Sequence, residues 1–264
     1  MATPMPAGSE SAYVAATLER RAASRASLRG PTSALAAVAR HELPVGTRLR
    51  FGPDAGADVR LAGAARAVEV TALRDGFSVD GQHSAPTQIE LGRYRLRLSH
   101  QNYPAVVVLD GESPRLREDV ELRWWPVDPS LRVRARLEPD GAPIRIASTA
   151  SAERGAERAG WLSFAIGGVP VRVLATRLLE PGAEGIDVYF RDATTGHGSY
   201  EVGRYVSIER EGDDHILDFN RAYNPLCALS PYYNCPIPPR ENHLAVAIRA
   251  GEMTPLVRSK AAHG

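Results

Sequence analysis

Alternation of apolar and polar residues, rather than a helical period, dominates most of the chain. The exception is the N-terminal part, where residues 9–29 combine alanine, leucine, glutamate and arginine without glycine or proline. That composition predicts a helix with a short apolar edge that includes Tyr13 and Leu18. A glycine-proline pair ends it, and a second, shorter helical piece is predicted over residues 33–40.

Short alternating runs separated by turn residues follow the helical part. They read TRLRFG, DVRLAG, AVEVTAL, GFSVDG, TQIELG, YRLRLS and AVVVLDG, and Asp-Gly pairs stand at several of the turns. Runs repeated every 8 to 12 residues or so are typical of a small antiparallel β-sandwich. We therefore expect an N-terminal helical segment over residues 1–42 and a small sandwich over residues 43–110.

The second half carries further alternating runs and one strong hairpin signal, Gly167 and Gly168 between two apolar stretches. Strands are also expected at RVRARLEP, IRIAS, HILDFN and LAVAIRAGE, and on both sides of a glycine-containing loop within residues 185–211. The small and polar residues 148–160 are expected to form a mobile loop. The fold class is thus mainly β, with residues 111–258 forming a second domain built as a curled antiparallel sheet or a barrel.

Composition narrows the classes of partner. Hydrophobic residues make up 44% and charged residues 24%, and the net charge of +1 argues against nucleic acid and acidic membranes as partners. Lys260 is the only lysine, which fits the codon usage of a GC-rich genome, while arginines placed for anion binding are the alternative. The chain lacks a signal-peptide pattern and an apolar run of about 18 residues, so we expect a cytoplasmic protein.

The most unusual stretch, at residues 218–244, reads DFNRAYNPLCALSPYYNCPIPPRENHL. It contains both cysteines, five prolines and four asparagines. Prolines prevent a regular ladder, so buried peptide groups in this stretch need side chains as hydrogen-bond partners. In a structural interpretation the asparagines supply these bonds, Asp218 pairs with Arg221 or Arg191, and the cysteines pack as small apolar residues.

A functional interpretation makes the same polar side chains the wall of a pocket. An arginine beside an aspartate can bind a carboxylate or promote proton transfer, and a phenol can donate a hydrogen bond. The candidate catalytic residues are Asp218, Arg221, Tyr223 and Cys227. The candidate substrate-binding residues are Tyr189, Arg191, Asp192, Asn220, Asn224 and Asn242.

The two cysteines leave further chemistries open. Cys227, Cys235, His215 and His243 are zinc donors by type, but a lone cysteine pair eight residues apart is no zinc signature, so we expect no metal. A Cys227 nucleophile with either histidine as base would need a partly exposed thiol of low pKa. We expect two reduced thiols that can still meet in space.

Three segments together resemble a known family. They lie at residues 123–139 (RWWPVDPSLRVRARLEP), 188–206 (VYFRDATTGHGSYEVGRYV) and 217–252, which contains DFNRAYNP and CPIPPREN. Over residues 43–252 the chain is similar to the DUF1684 family, a domain of unknown function. The resemblance implies a β-rich fold whose front part is like a degenerate forkhead-associated sandwich, and it implies no reaction. Leu226 stands where the family motif has a second proline.

We therefore expect a cofactor-independent enzyme that acts on a small organic molecule by acid/base chemistry, in a pocket of the C-terminal β domain. Its reaction would be of the isomerase, cyclase, lyase or hydrolase type. A noncatalytic small-molecule-binding protein would use the same pocket, and an interaction module would use the front sandwich. The expected partner is a small molecule, with no nucleic acid and no membrane, and the sequence leaves the oligomeric state open.

Overall fold

The computed structural model describes residues 7–100, 103–150 and 153–258, and β-strands dominate these ranges. The first half begins with one long helix, α1 (Ala7–Ser27). Its strands are β1 (Ala37–Glu42), β2 (Arg48–Gly52), β3 (Val59–Arg60), β4 (Val68–Leu73), β5 (Gly76–Val79), β6 (Gln82–Ser84), β7 (Gln88–Leu91), β8 (Tyr94–Ser99) and β9 (Ala105–Asp110).

These nine strands form two packed sheets. One has the order β1-β9-β8-β7 and the other β3-β2-β4-β5-β6, and all pairs are antiparallel except β2 with β3. Alternate residues of β4 and β8 are buried, because a strand that covers a core on one face buries every second side chain. Phe51, Phe77 and Leu96 contribute to the shared core. The predicted small sandwich is confirmed.

The predicted second helix over residues 33–40 is wrong. A single 3-10 turn, Ala34–Ala36, leads directly into β1, which pairs with β9. The alanines of this turn are buried against Val107 and Leu109. Tertiary burial therefore overrides the helix propensity of alanine here.

The second half holds a large sheet and a small one. Its strands are β10 (Asp119–Glu121), β11 (Arg132–Ala135), β12 (Leu137–Pro139), β13 (Pro143–Ile146), β14 (Arg154–Ile166), β15 (Val169–Leu178), β16 (Asp187–Phe190), β17 (Arg204–Glu211), β18 (Asp214–Asp218) and β19 (Leu256–Arg258). The large sheet has the order β11-β18-β17-β16-β15-β14-β12, with β13 also paired to β14, and β10 pairs with β19. The described strands do not close into a barrel, so the curled sheet is the correct one of the two predicted forms.

The longest pair of strands is the predicted hairpin. β14 and β15 pair from Ile166 and Val169 back to Ala156 and Leu178. Gly167 and Gly168 form the turn with φ of 56° and 81°, as a two-residue hairpin turn with positive φ at both positions requires. The hairpin prediction is confirmed.

The predicted mobile loop over residues 148–160 is wrong from Arg154 onward, where β14 already begins. Residues 151–152 lie outside the described residues. Arg154 is buried and forms an ion pair with Glu180. Gly160 lies against the carbonyl group of Glu138 on β12, where a Cβ would collide with the oxygen. The small residues therefore reflect close packing between strands.

The strand predicted over residues 244–252 does not form. Two buried charged side chains take the backbone groups that a ladder would use. The N–H of Ile248 donates to Asp192 at 2.6 Å, and Arg204 donates to the carbonyl groups of Ile248 and Ala250. Arg204 and Asp192 also pair with each other at 3.3 Å. This buried, hydrogen-bonded ion pair replaces the ladder, and the strand prediction was wrong for that reason.

The two halves share a core. Every residue of β9 is buried, because Val107 and Leu109 pack against Tyr189 and Tyr205 of the large sheet. One sheet of the sandwich is therefore covered by the second half of the chain rather than open to a partner.

α1 attaches to the second half through polar contacts. Tyr13 donates to Asp218, and Arg21 donates to the carbonyl oxygen of Trp125 at 2.9 Å. Leu18 of the predicted apolar edge is 52% exposed. Among the described residues, no helix combines the length and apolar character needed to cross a bilayer.

Candidate functional site

The structure separates the residues that the sequence grouped into one site. Arg221 and Tyr223 line a pocket beside α1. Cys227 lies instead next to Cys235, and Arg191 lines a separate open groove. The other predicted site residues are buried, and Asn220 also reaches the pocket wall: they are Tyr189, Asp192, Asp218, Asn220, Asn224 and Asn242.

Two of the buried asparagines complete the hydrogen bonding of irregular backbone. Asn242 accepts from the N–H of Leu174 at 2.7 Å and donates to the carbonyl groups of Leu174 and Tyr189 at 2.9 and 2.8 Å. Asn220 bonds both the N–H and the carbonyl group of Asp128. Buried amides used in this way are structural cross-links.

Asp218 does not form the ion pair expected for it. Tyr13 donates to its two carboxylate oxygens at 2.8 and 2.9 Å, because the end of β18 faces α1. Arg221 pairs with Glu209 on β17, and Arg191 donates to a backbone carbonyl group. Burial, then the charge of Asp218, raise the pKa of Tyr13 above its ordinary value of 10.0.

A cavity of about 210 Å³ lies between α1 and the chain that follows β18. We call it the Glu252 pocket. Its lining residues are Thr17, Arg20, Arg21, Ser24, Trp124, Asn220, Arg221, Ala222, Tyr223 and Glu252.

Glu252 supplies the carboxyl group of this pocket. Its Oε2 accepts from the backbone N–H of Asn224 at 2.8 Å. Burial raises the pKa of Glu252 from 4.5 to about 7, although the Asn224 bond and the guanidinium groups of Arg204 and Arg21 oppose the rise. A carboxyl group that changes protonation near neutral pH is suited to general acid/base catalysis.

Arg21 supplies a buried cation with unused donors. Its Nη1 donates to the carbonyl oxygen of Trp125, while Nε and Nη2 have no hydrogen-bond partner among the described residues. The guanidinium carbon lies 5.9 Å from the centre of the Trp124 ring. Burial lowers the pKa of Arg21 from 12.5. Unmade bonds of a buried guanidinium are costly, and an anion that reached these nitrogens would satisfy them.

Tyr223 completes the set of polar groups. Its side chain is 39% exposed, and its backbone N–H and carbonyl group both pair with Tyr205. The two rings meet edge to face with centres 5.7 Å apart. Burial, then the charge of Asp187, raise the pKa of Tyr223 to about 12, and a side-chain hydrogen bond with Ser207 opposes the rise. The phenol therefore stays protonated at neutral pH.

The neighbours of Cys227 differ from those that a cysteine nucleophile with a histidine base, or a zinc site, would need. The sulfur of Cys227 has Cys235, Tyr200 and Thr149 as hydrogen-bonding neighbours, and neither of the histidines considered as a base is among those described contacts. The described part of the chain contains no group of three or more His, Cys, Asp or Glu placed to hold a metal ion.

The sequence reasoning missed Glu252, Arg21 and Arg20. Their signal in the sequence is weak. Glu252 follows a glycine at the end of an apolar run, and Arg20 and Arg21 are two of several arginines in α1. Only the fold brings positions 21 and 252 to one cavity. The glycine before Glu252 was the one hint in the sequence. In the structure Gly251 has a φ of 72° and lies close to the carbonyl group of Ala222, so the backbone beside the carboxyl group is fixed.

Comparison with known proteins places the second half of the chain in a family. A family model described as a protein of unknown function, DUF1684, matches residues 120–253. A solution NMR structure of an uncharacterised protein from Haloarcula marismortui is 35% identical, covers 53% of this chain and 80% of its own, and has a TM-score of 0.43. No curated protein matches. Because the family model matches half of the residues of this chain, the chain belongs to the DUF1684 family.

Proposed function

We propose that the Glu252 pocket catalyses proton transfer on a small organic acid. One observation carries the proposal: a carboxyl group with a pKa raised to about 7 lines the same small pocket as a buried guanidinium with two unpartnered nitrogens. Such a carboxyl group can accept and return a proton near neutral pH. The proposed chemistry uses only side chains of the protein and needs no cofactor.

The pocket favours a small, negatively charged substrate. Arg21 and Arg20 lie on one side of it, and guanidinium groups bind carboxylates through paired hydrogen bonds. Trp124 adds a flat apolar wall. The volume of about 210 Å³ is below the range of roughly 300–1,000 Å³ typical for drug-sized ligands. A carboxylic acid of a few carbons that also carries a carbonyl group fits these features.

Each polar group has a role in a balanced proton transfer. Arg21 holds the substrate carboxylate, and ionised Glu252 takes a proton from the carbon next to the carbonyl group. Tyr223 donates a hydrogen bond to the oxygen that gains negative charge. Glu252 then returns the proton to another atom of the substrate, so the net reaction is an isomerisation. Arg221 holds its position at the pocket through its ion pair with Glu209.

Deuterium exchange tests the proposal without knowledge of the product. The protein is incubated in heavy water with a panel of small 2-oxo and 3-oxo carboxylic acids, and exchange at the carbon next to the carbonyl group is followed by NMR. Glu252→Gln keeps an acceptor for the Asn224 N–H and should slow exchange by about 100-fold or more. Glu138→Gln, on the exposed surface of β12, is the matched control. Equal exchange by wild type and Glu252→Gln, or no exchange of acids that bind, refutes catalysis.

A noncatalytic binding protein is the second candidate, and the unpartnered nitrogens of Arg21 favour it equally. In that case the acids bind wild type and Glu252→Gln alike, and no exchange occurs. In both cases Arg21→Gln should weaken binding by about 10-fold or more, since a hydrogen bond to a charged group contributes about 1.5–3 kcal/mol. We place either activity in the cytoplasm, where the two free cysteines would remain thiols.

A further inference from the structure

The two cysteines of the chain lie together, and neither is among the residues that line the Glu252 pocket. Cys227 lies in the 3-10 turn Leu226–Ala228, and Cys235 lies in the irregular chain after it. Cys235 belongs to a buried cluster with Tyr205, and Cys227 packs against the same cluster. The Cys235 thiol is a hydrogen-bonding neighbour of the Cys227 sulfur, and both cysteines are free. Pro225 precedes Cys227 by two residues and Pro236 follows Cys235 directly, so the backbone near each thiol has restricted freedom.

Hydrogen-bond donors surround the sulfur of Cys227. The Cys235 thiol and the backbone N–H of Cys227 itself act on it, and the Tyr200 hydroxyl lies 3.9 Å away. The Thr149 hydroxyl is a further neighbour, and it also donates to the carbonyl group of Tyr233. The bond from Cys235 is the largest effect, and together these donors lower the pKa of Cys227 from 9.0 to about 7 against the opposing effect of burial. Donors aimed at a sulfur favour its thiolate form.

The two thiols differ in environment. Cys227 is half-buried, and Thr149 beside it is exposed, so this thiol lies nearer to the protein surface than Cys235 does. Cys235 is 6% exposed and packs with Tyr189, Tyr205 and Tyr233. Its hydrogen bond to Cys227 and its burial raise the pKa of Cys235 above 9.0. Cys227 is therefore the thiol that ionises more readily, and Cys235 is the more deeply buried partner.

We propose that Cys227 and Cys235 form a dithiol that hydroperoxides oxidise reversibly to a disulfide. The Cys227 thiolate attacks one oxygen of hydrogen peroxide, the O–O bond breaks, and the released hydroxide takes a proton to become water. Cys227 is now a sulfenic acid. The Cys235 sulfur attacks it, the S–S bond forms, and the hydroxyl group leaves with the Cys235 proton as a second water. The two electrons lost by the thiols reduce the peroxide.

Peroxide titration of the full-length reduced protein tests this site. After brief treatment with hydrogen peroxide and a denaturing quench, we expect loss of both free thiols, a monomer lighter by two hydrogen atoms, and a peptide pair joined through Cys227 and Cys235. Dithiothreitol should restore both thiols. In Cys235→Ser, which lacks the second thiol, dimedone should label Cys227 as the sulfenic acid. Cys227→Ser should react at least about 100-fold more slowly.

Tyr200 provides a graded variant that does not remove either thiol. Tyr200→Phe should slow oxidation several-fold because one donor to the Cys227 sulfur is lost, while Tyr232→Phe, a partly buried neighbour packed on the same cluster, should leave the rate unchanged. Circular dichroism confirms that each variant is folded. Three outcomes would overturn the proposal: a rate no faster than that of the denatured chain, dimedone label on Cys235 instead of Cys227, or disulfides only between separate molecules.

Discussion

Replacing Glu252 with glutamine should make the stability of the protein less dependent on pH. Folding raises the pKa of this carboxyl group from 4.5 to about 7, mainly by burial. The folded protein therefore holds the proton more tightly than the unfolded chain does. The stability contributed by the protonated Glu252 carboxyl group is fully present below pH 4.5 and is lost as the pH rises to about 7. Glutamine cannot ionise, so the stability of the variant does not fall in this way as the pH rises.

The size of the effect follows from the two pKa values. Each pKa unit corresponds to about 1.4 kcal/mol, so the rise from 4.5 to about 7 corresponds to about 3 kcal/mol. Relative to Glu252→Gln, the wild type should therefore lose about 3 kcal/mol of unfolding free energy across that range. The other ionisable groups are common to both proteins, so their titration largely cancels in the difference.

Urea unfolding at a series of pH values provides the measurement. The free energy of unfolding of wild type minus that of Glu252→Gln is plotted against pH, and it should fall between the two pKa values and then level off. Glu138→Gln, which removes an exposed carboxylate paired with Arg172, is the control and should run parallel to the wild type. A constant difference between wild type and Glu252→Gln would refute the raised pKa and, with it, the acid/base role of Glu252.

Three further substitutions test the contacts that hold the pocket and the irregular segment. Tyr13→Phe removes the hydrogen bond to the Asp218 carboxylate. The free energy that holds α1 in place should therefore fall by about 1.5–3 kcal/mol, and the amides of α1 should exchange faster with solvent. Asn242→Ala leaves three buried backbone groups of β15 and β16 unpaired, which should lower the unfolding free energy by about 3–6 kcal/mol. Gly251→Ala places a Cβ 2.6 Å from the carbonyl oxygen of Ala222 and should lower the thermal midpoint clearly.

Each of these has a matched control of the same residue type. Tyr103 donates to Glu42 at an exposed site, so Tyr103→Phe should destabilise the protein less than Tyr13→Phe does. Asn234 makes one bond through its Oδ1, so its alanine variant should cost less than Asn242→Ala. A Cβ at Gly46 meets nothing within 4 Å, so Gly46→Ala should show backbone strain alone. Control variants as destabilised as their counterparts would contradict the contacts described here.

Local patterns predicted the strands that cover a core on one face. β4 and β8 alternate because one side chain in two is buried, and the hairpin was visible because its turn needs two glycines. The failures share one cause, which is that partners distant in the chain determine the local structure. Residues 244–252 look like a strand, yet Asp192 and Arg204 take their backbone groups. The start of β14 looks like a loop because its small residues fit against another strand.

The same cause limits what could be predicted of the site. Arg221 and Tyr223 were found because they lie in the marked segment that also lines the pocket. Asp218 was assigned Arg221 or Arg191 as its partner, but its partner is Tyr13, 205 positions earlier. α1 shows no clear apolar stripe because the face it buries is polar, with Thr17 and Arg21. Hydrophobic periodicity cannot predict such a contact.

The division of the pocket between α1 and the rest of the chain has a consequence for specificity. The family match begins at residue 120, so it includes Trp124, Tyr223 and Glu252 but not α1. The groups suited to moving a proton thus lie within the matched region, whereas Arg20 and Arg21, which favour an anion, come from a helix outside it. Since polar contacts position that helix, its substitution can change which charge the pocket accepts while the carboxyl and phenol groups stay in place. Under the proposed function, replacing Arg20 or Arg21 should change the charge of the acid that binds, whereas replacing Glu252 should stop the proton transfer.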